Sequence, residues 1–60
     1  MMAEARALLD ERRELPGYAE AEVAVFALER GNEPAALRWA LRALLAHPAW
    51  RALAHVVLGD

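Results

Sequence analysis

Few side chains in this sequence can take part in covalent or acid–base chemistry. The 60 residues include no serine, threonine, cysteine or lysine, so the common alcohol, thiol and amine nucleophiles are missing. Asp10 and Glu14 lie one helical turn apart, but the residues between them are mostly charged, unlike the apolar surroundings of a catalytic carboxylate pair. We therefore expect no enzymatic activity and no small-molecule substrate.

The two histidines do not make a metal site by their types and spacing. His47 and His55 are separated by a proline turn, and no cysteine can complete a ligand set with them. Two ligands are too few for a closed structural zinc site. We expect no metal and no cofactor, and we interpret both histidines as surface or half-buried residues.

Charge is distributed unevenly along a chain whose formal net charge is -2. Acids crowd the first half, whereas Arg38, Arg42 and Arg51 dominate the second half. Arg38 and Arg42 stand one helical turn apart and could bind an acidic peptide or a phosphate, but a solvated helix face also explains such a pair. Nucleic-acid binding is the third alternative, because it needs a larger basic surface.

The elements that would position these residues are helices. Alanine, leucine, arginine and glutamate dominate the composition, whereas isoleucine is absent and valine occurs four times, which leaves a sheet without its usual β-branched residues. Apolar residues recur at three and four residue steps. The sequence predicts one all-α domain of antiparallel helices, at about 3–14, 17–30, 33–46 and 49–58.

The third helix has the clearest signals for its start and its end. Asn32 is a good capping residue, Pro34 fits a first helical turn, and Pro48 disfavours helical geometry at His47. The fourth helix has no polar cap. The predicted apolar stripe of the third helix contains Ala36, Leu37, Ala40, Leu41, Leu44 and Leu45. In the second helix, Val23, Ala24, Ala27 and Leu28 form the predicted buried face, with Val25 and Phe26 partly to either side.

The spacing of these helix start and end signals resembles that of a tetratricopeptide repeat (TPR), a hairpin of two antiparallel helices. Gly31 lies between the helices, Ala36 and Ala43 are seven residues apart, and Pro48 follows five residues later. Aligned in this way, one 34-residue repeat covers Gly17 to Trp50. Ala24 takes the close-packing site of the first helix. The match is incomplete, because Glu20 and Ala27 occupy the sites of the family's tryptophan and tyrosine.

The resemblance implies a protein-binding groove lined by the first helix of the repeat. Carried over to this sequence, the groove side shows Tyr18, Ala21, Val25 and Glu29, with Leu28 as a further candidate. The alternative is a closed helical bundle, a structural or regulatory subunit without a peptide groove, in which Val25, Phe26 and Leu28 pack on the first or fourth helix. Both alternatives agree with the sequence.

The two tryptophans are further candidates for a protein interface, where this residue type is enriched. We interpret Trp50 as a plug that closes the corner between the third and fourth helices. Trp39 lies off the leucine stripe and one turn from Arg42, so both interface contact and burial within the chain remain open for it. A symmetric homodimer that covers Trp39 or the outer side of the fourth helix would bury part of the high apolar content, which is 58%.

The sequence also bears on the location of the protein. Its longest apolar run, residues 23–28, is far shorter than the roughly 20 residues that span a bilayer. We expect a cytoplasmic protein without membrane contact, and the all-arginine basic residues indicate a GC-rich, thermophilic source. The sequence thus predicts a TPR-like protein–protein interaction module that binds another protein or itself.

Overall fold

The computed structural model describes residues 2–59, with side chains from residue 3 onward. These residues form four α-helices and one short 3-10 helix, and they contain no strand. The predicted all-α fold is therefore confirmed. The helices are α1 (Met2–Glu11), α2 (Tyr18–Glu29), α3 (Glu33–Ala46) and α4 (Arg51–Leu58), and the 3-10 helix (Pro48–Trp50) leads directly into α4.

The helices pack in a closed ring around one core. The antiparallel hairpin of α2 and α3 has the most extensive contacts, α4 packs on α3, and α1 contacts both α2 and α4. Because α1 and α4 touch each other, they lie on the same side of the hairpin. The core therefore lies between the α2–α3 layer and the α1–α4 layer, and the opposite side of the hairpin faces solvent.

The turn between α2 and α3 has the predicted signals. Gly31 has a left-handed φ of +78°, and its N–H donates to the Leu28 carbonyl at 3.0 Å. The next N–H, that of Asn32, donates to the Ala27 carbonyl at 2.9 Å, which completes a Schellman C-cap. The Asn32 side chain then accepts a hydrogen bond from the Ala35 N–H at 3.3 Å. One glycine–asparagine pair thus ends α2 and begins α3.

The first and last helices are shorter than expected. α1 ends at Glu11, and the chain continues through turns in which the Leu15 N–H donates to the Arg12 carbonyl at 3.2 Å. Pro16 disfavours helical geometry at Leu15, so the final predicted turn of α1 unwinds. At the other end, residues 48–50 form the 3-10 helix before α4 starts at Arg51.

His47 supplies a cap that the sequence did not reveal. Its backbone is extended, with φ -159°, as expected for a residue before proline. Its Nδ1 accepts a hydrogen bond from the Ala49 N–H at 3.0 Å. α4 itself has no side-chain cap, as expected, and His47 instead caps the 3-10 helix that leads into it.

The predicted apolar stripe of α3 was wrong in part. Its buried line consists of alanines, Ala36, Ala40 and Ala43, whereas Leu41 and Leu45 are exposed. Because α2 and α3 approach closely, only methyl groups fit at the contact between them, and leucines fit only at its edges. On α2, the sequence predicted Val23 in the buried face and Val25 at its edge, whereas Val25 is buried and Val23 is exposed.

Candidate protein-interaction surface

Most of the large apolar residues that remain exposed belong to the α2–α3 hairpin. Five such residues are found among those described, and four of them belong to α2 or α3. Their exposed fractions are 41% for Val23, 56% for Phe26, 45% for Leu41 and 89% for Leu45, and the fifth residue, Leu58 of α4, is 57% exposed.

Helical spacing groups these four residues into two exposed stripes, one on each helix. Val23 and Phe26 are three residues apart on the side of α2 opposite the buried Ala21 and Leu28. Leu41 and Leu45 are four residues apart on α3, opposite its line of buried alanines. The buried alanines of α3 contact α2, so Leu41 and Leu45 point away from α2 and form a stripe of their own. We call the two exposed stripes and the arginines beside them the outer hairpin face, defined by Val23, Phe26, Arg30, Arg38, Leu41 and Leu45.

Arginines accompany the apolar residues of this face. The Arg30 guanidinium lies over the Phe26 ring, 4.9 Å from its centroid. Arg42 flanks the face, with its guanidinium 4.6 Å from the centroid of the Trp39 ring. Arg38 is exposed and lies one turn before Arg42 and three residues before Leu41. Each of the two cation–π contacts holds a positive charge beside apolar surface without neutralising it.

The ion pairs among the described residues lie elsewhere. Arg6 of α1 donates to Glu29 of α2 at 2.7 Å, and Arg12 donates to Glu11 at 3.0 Å. The hydrogen bond and the charge of Glu29 raise the pKa of Arg6. Neither pair involves an arginine of the outer hairpin face. The exposed Glu22 lies one turn before Phe26, so this face carries charges of both signs.

The groove residues carried over from the TPR resemblance do not form an open groove. Ala21 and Val25 are buried in the core, so a partner cannot reach them on the folded chain. Tyr18 is half-buried, with its ring centroid 6.5 Å from that of Trp50. Glu29 is engaged by Arg6. α1 packs on α2 and also contacts α4, and this side of α2 is covered in the folded chain.

The two tryptophans have different environments. Trp50 is fully buried, as expected for a plug, and its Nε1–H donates to the Pro16 carbonyl at 2.7 Å. Trp39 is half-buried and packs against the core, while Arg42 covers part of its ring. Of the predicted interface residues, Trp39 and Arg42 thus remain beside an accessible surface.

Sequence reasoning did not select Phe26, Leu41 and Leu45 as candidates for a binding surface. The available signal was the spacing between apolar and basic residues, with Arg30 four residues after Phe26 and Arg38 three residues before Leu41. We took the two leucines for core residues because they continue the apolar stripe of α3. Only the exposure of Leu41 and Leu45 in the folded chain distinguishes a surface position from a core position, and helical periodicity alone does not predict that exposure.

The described residues hold no pocket, and no three of their histidine, aspartate or glutamate side chains are grouped as metal ligands would be. None of the helices from α1 to α4 has both the length and the apolar character for crossing a bilayer. Comparisons with protein-family models, with curated proteins and with solved structures gave no match.

Proposed function

We propose that this chain is a small helical protein–protein interaction module that binds its partner through the outer hairpin face. The observation that carries the proposal is that four of the five exposed large apolar side chains among the described residues belong to the hairpin, where Leu41 and Leu45 lie one turn apart on α3. Exposed apolar surface with a polar margin is typical of protein interaction sites. Leu45 is the natural centre of contact, since most of its side chain is in solvent.

The TPR resemblance is part of the proposal. Its support is that Ala24, Ala36 and Ala43, which occupy the family's close-packing positions, are each fully buried. Small residues at these points let two helices approach closely. The proposed binding surface differs from the family's groove, because the side of α2 that would line the groove is covered.

Site-specific photo-crosslinking in the source cell tests the proposed function. A photoreactive amino acid at Leu45 is expected to yield a discrete crosslinked protein, because this side chain would lie inside the interface. The matched control carries the same group at Arg13, which is exposed in the connection between α1 and α2. Equal crosslinking from both positions would count against an interface on the hairpin.

Self-association is a second proposal, and it concerns a different surface. Leu58 is exposed near the end of α4, on the same side of this helix as the exposed His55 and Arg51. A symmetric dimer over the outer side of α4 would cover it while leaving the outer hairpin face free. The alternative is a closed structural or regulatory subunit that stays monomeric, which the burial of Ala21 and Val25 favours.

Sedimentation velocity distinguishes the two alternatives. We expect the wild-type protein to dimerise at micromolar concentration and Leu58→Glu to be monomeric, because a buried unpaired carboxylate would oppose the contact. Leu45→Glu serves as the control and should remain dimeric. A wild-type protein that is monomeric throughout the concentration range would exclude the dimer, but not the interaction module. A cytoplasmic location stays a prediction.

A further inference from the structure

We propose that α1 exchanges between two copies of this chain, so that α1 of one copy packs on α2 and α4 of the other. The inference goes beyond the proposed function, and it uses neither the outer hairpin face nor the outer side of α4. It follows from the small share of the core that α1 supplies, from the hinge that follows it and from the ion pair that it makes with α2.

α1 supplies only a small part of the core. Among its described side chains Ala5 and Leu9 are buried, and Leu8 packs at the edge of the core. Every other buried residue of the described chain, including Trp50 and Leu53, lies in α2 or beyond it. Loss of α1 from the fold would therefore remove two buried side chains and leave the packing around Trp50 in place.

α1 is also a weak helix by itself. It has ten residues, and isolated helices shorter than about 12–15 residues are marginally stable in water. Its last turn contains Asp10 and Glu11 and no basic residue, so negative charges lie at the negative end of the helix dipole. Local unfolding releases the least stable elements of a fold first. We therefore expect α1 to leave the core before any other helix does.

The chain after α1 stays anchored when α1 leaves. The Pro16 carbonyl accepts the Trp50 Nε1–H at 2.7 Å, and Leu15 packs against the core. Between this anchor and α1 lie Arg13 and Glu14, which are exposed and take no part in the ion pairs of the described residues. These two residues form a short hinge, and α1 can swing away on it without disturbing the bond between Trp50 and Pro16.

A second copy offers α1 the same binding site that its own chain offers. After an exchange, Ala5 and Leu9 would meet the same neighbours, and Arg6 would pair with Glu29 of the other copy. Exchange of an identical element is a low-cost route to dimers, because only the path of the hinge changes. Packing within one chain corresponds to an effective concentration in the millimolar range. The exchanged wild-type dimer should thus be populated at about millimolar protein.

The ion pair between α1 and α2 makes the exchange measurable. The Arg6 Nε donates to Glu29 at 2.7 Å, and the two side chains are 57% and 29% exposed. Charge reversal at either position therefore changes the pair without opening the core. Opposite charges at the pair favour the packing of α1 on a given α2, and like charges oppose it.

Mixing two complementary variants tests the proposal. One chain carries Arg6→Glu and the other Glu29→Arg, and both carry Leu58→Glu to prevent contact through α4. In either chain alone, like charges meet whether α1 stays or exchanges. In an exchanged dimer of the two chains, both positions pair opposite charges. We expect sedimentation equilibrium to show dimers in the mixture at a protein concentration at least about tenfold lower than in either chain alone.

Two controls use the same Leu58→Glu background. A chain that carries both Arg6→Glu and Glu29→Arg restores the pair within itself, and it should dimerise no more readily than Leu58→Glu alone. A mixture of Arg13→Glu with Glu14→Arg has the same net charges as the test mixture, but the changes lie at exposed residues of the hinge. It should dimerise no more readily than its separate chains. Circular dichroism checks that each variant keeps its helix content.

Amide hydrogen exchange of the wild-type protein tests the release of α1 separately from these variants. We expect the amides of α1 to exchange faster than those of α3 under native conditions, because α1 opens locally. Equal protection of α1 and α3 would overturn the proposal, since α1 would then leave only on global unfolding. A test mixture that dimerises no more readily than its separate chains would also overturn it. So would equal dimerisation of the Arg13→Glu and Glu14→Arg mixture, which would show general charge attraction.

Discussion

Replacing Trp50 with alanine is expected to remove much of the stability of the protein. Trp50 is fully buried, and loss of a buried tryptophan side chain costs about 3–5 kcal/mol. A 60-residue domain has a total free energy of unfolding of about 3–9 kcal/mol, so one such cavity removes much of it. The change also removes the Nε1–H donor that binds the Pro16 carbonyl at 2.7 Å. Urea denaturation followed by circular dichroism measures the loss.

Two further tryptophan variants separate packing from hydrogen bonding. Trp50→Phe keeps most of the apolar volume but loses the donor, and it should be destabilised by about 1–3 kcal/mol. Trp39→Ala removes a side chain of the same type from a half-buried site and should be tolerated better than Trp50→Ala. Equal stability of Trp39→Ala and Trp50→Ala would contradict the role of Trp50 as the central plug.

The burial of Trp50 could be predicted from the sequence, but its partner could not. A tryptophan two residues after a proline, between two helices, is well placed to close their corner. Its hydrogen bond to Pro16 spans 34 residues, and it depends on where the α1–α2 connection lies in the folded ring. No local pattern contains this information, because it arises from the packing of all four helices.

Helical periodicity predicted that each of the four segments is an α-helix. It did not predict which part of a wide apolar arc faces the core. In α3, alanines and leucines share such an arc, and either set could have made the contact with α2. Because α2 and α3 approach closely, Ala36, Ala40 and Ala43 are buried at their contact, and Leu45 remains exposed. The start of α3 was predicted correctly because capping is local: Asn32 accepts a hydrogen bond from an N–H only three residues away.

The basic residues of the candidate surface could be predicted from the sequence, but its exposed apolar residues could not. Arg38 and Arg42 stood out as a basic pair on one helix face. Leu41 and Leu45 belong to the same surface, yet the stripe pattern assigned them to the core. Conversely, Ala21 and Val25 were assigned to a groove by resemblance to an open solenoid. In this chain α1 and α4 contact each other and close that side.

Replacing Gly17 with alanine is expected to destabilise the protein far more than the same change at Gly31. Both glycines have left-handed backbones, with φ +90° at Gly17 and φ +78° at Gly31, so each alanine meets about 1–2 kcal/mol of backbone strain. Only at Gly17 would the new Cβ also collide with neighbours. It would lie 2.9 Å from the Ala43 carbonyl oxygen and 3.0 Å from the Trp50 Nε1, whereas nothing lies within 4 Å at Gly31.

Gly31→Ala is therefore the matched control for strain without collision. We expect Gly17→Ala to lose a further 1–3 kcal/mol, about the cost of overpacking a core, because backbone of α3 and the Trp50 ring must move. Thermal and urea unfolding of the two variants measure the difference. A much larger loss at Gly17 would show that the close approach of the α1–α2 connection to the end of α3 holds Trp50 and Pro16 together. Equal losses would mean that the connection shifts freely, and that the hydrogen bond between Trp50 and Pro16 contributes little to stability.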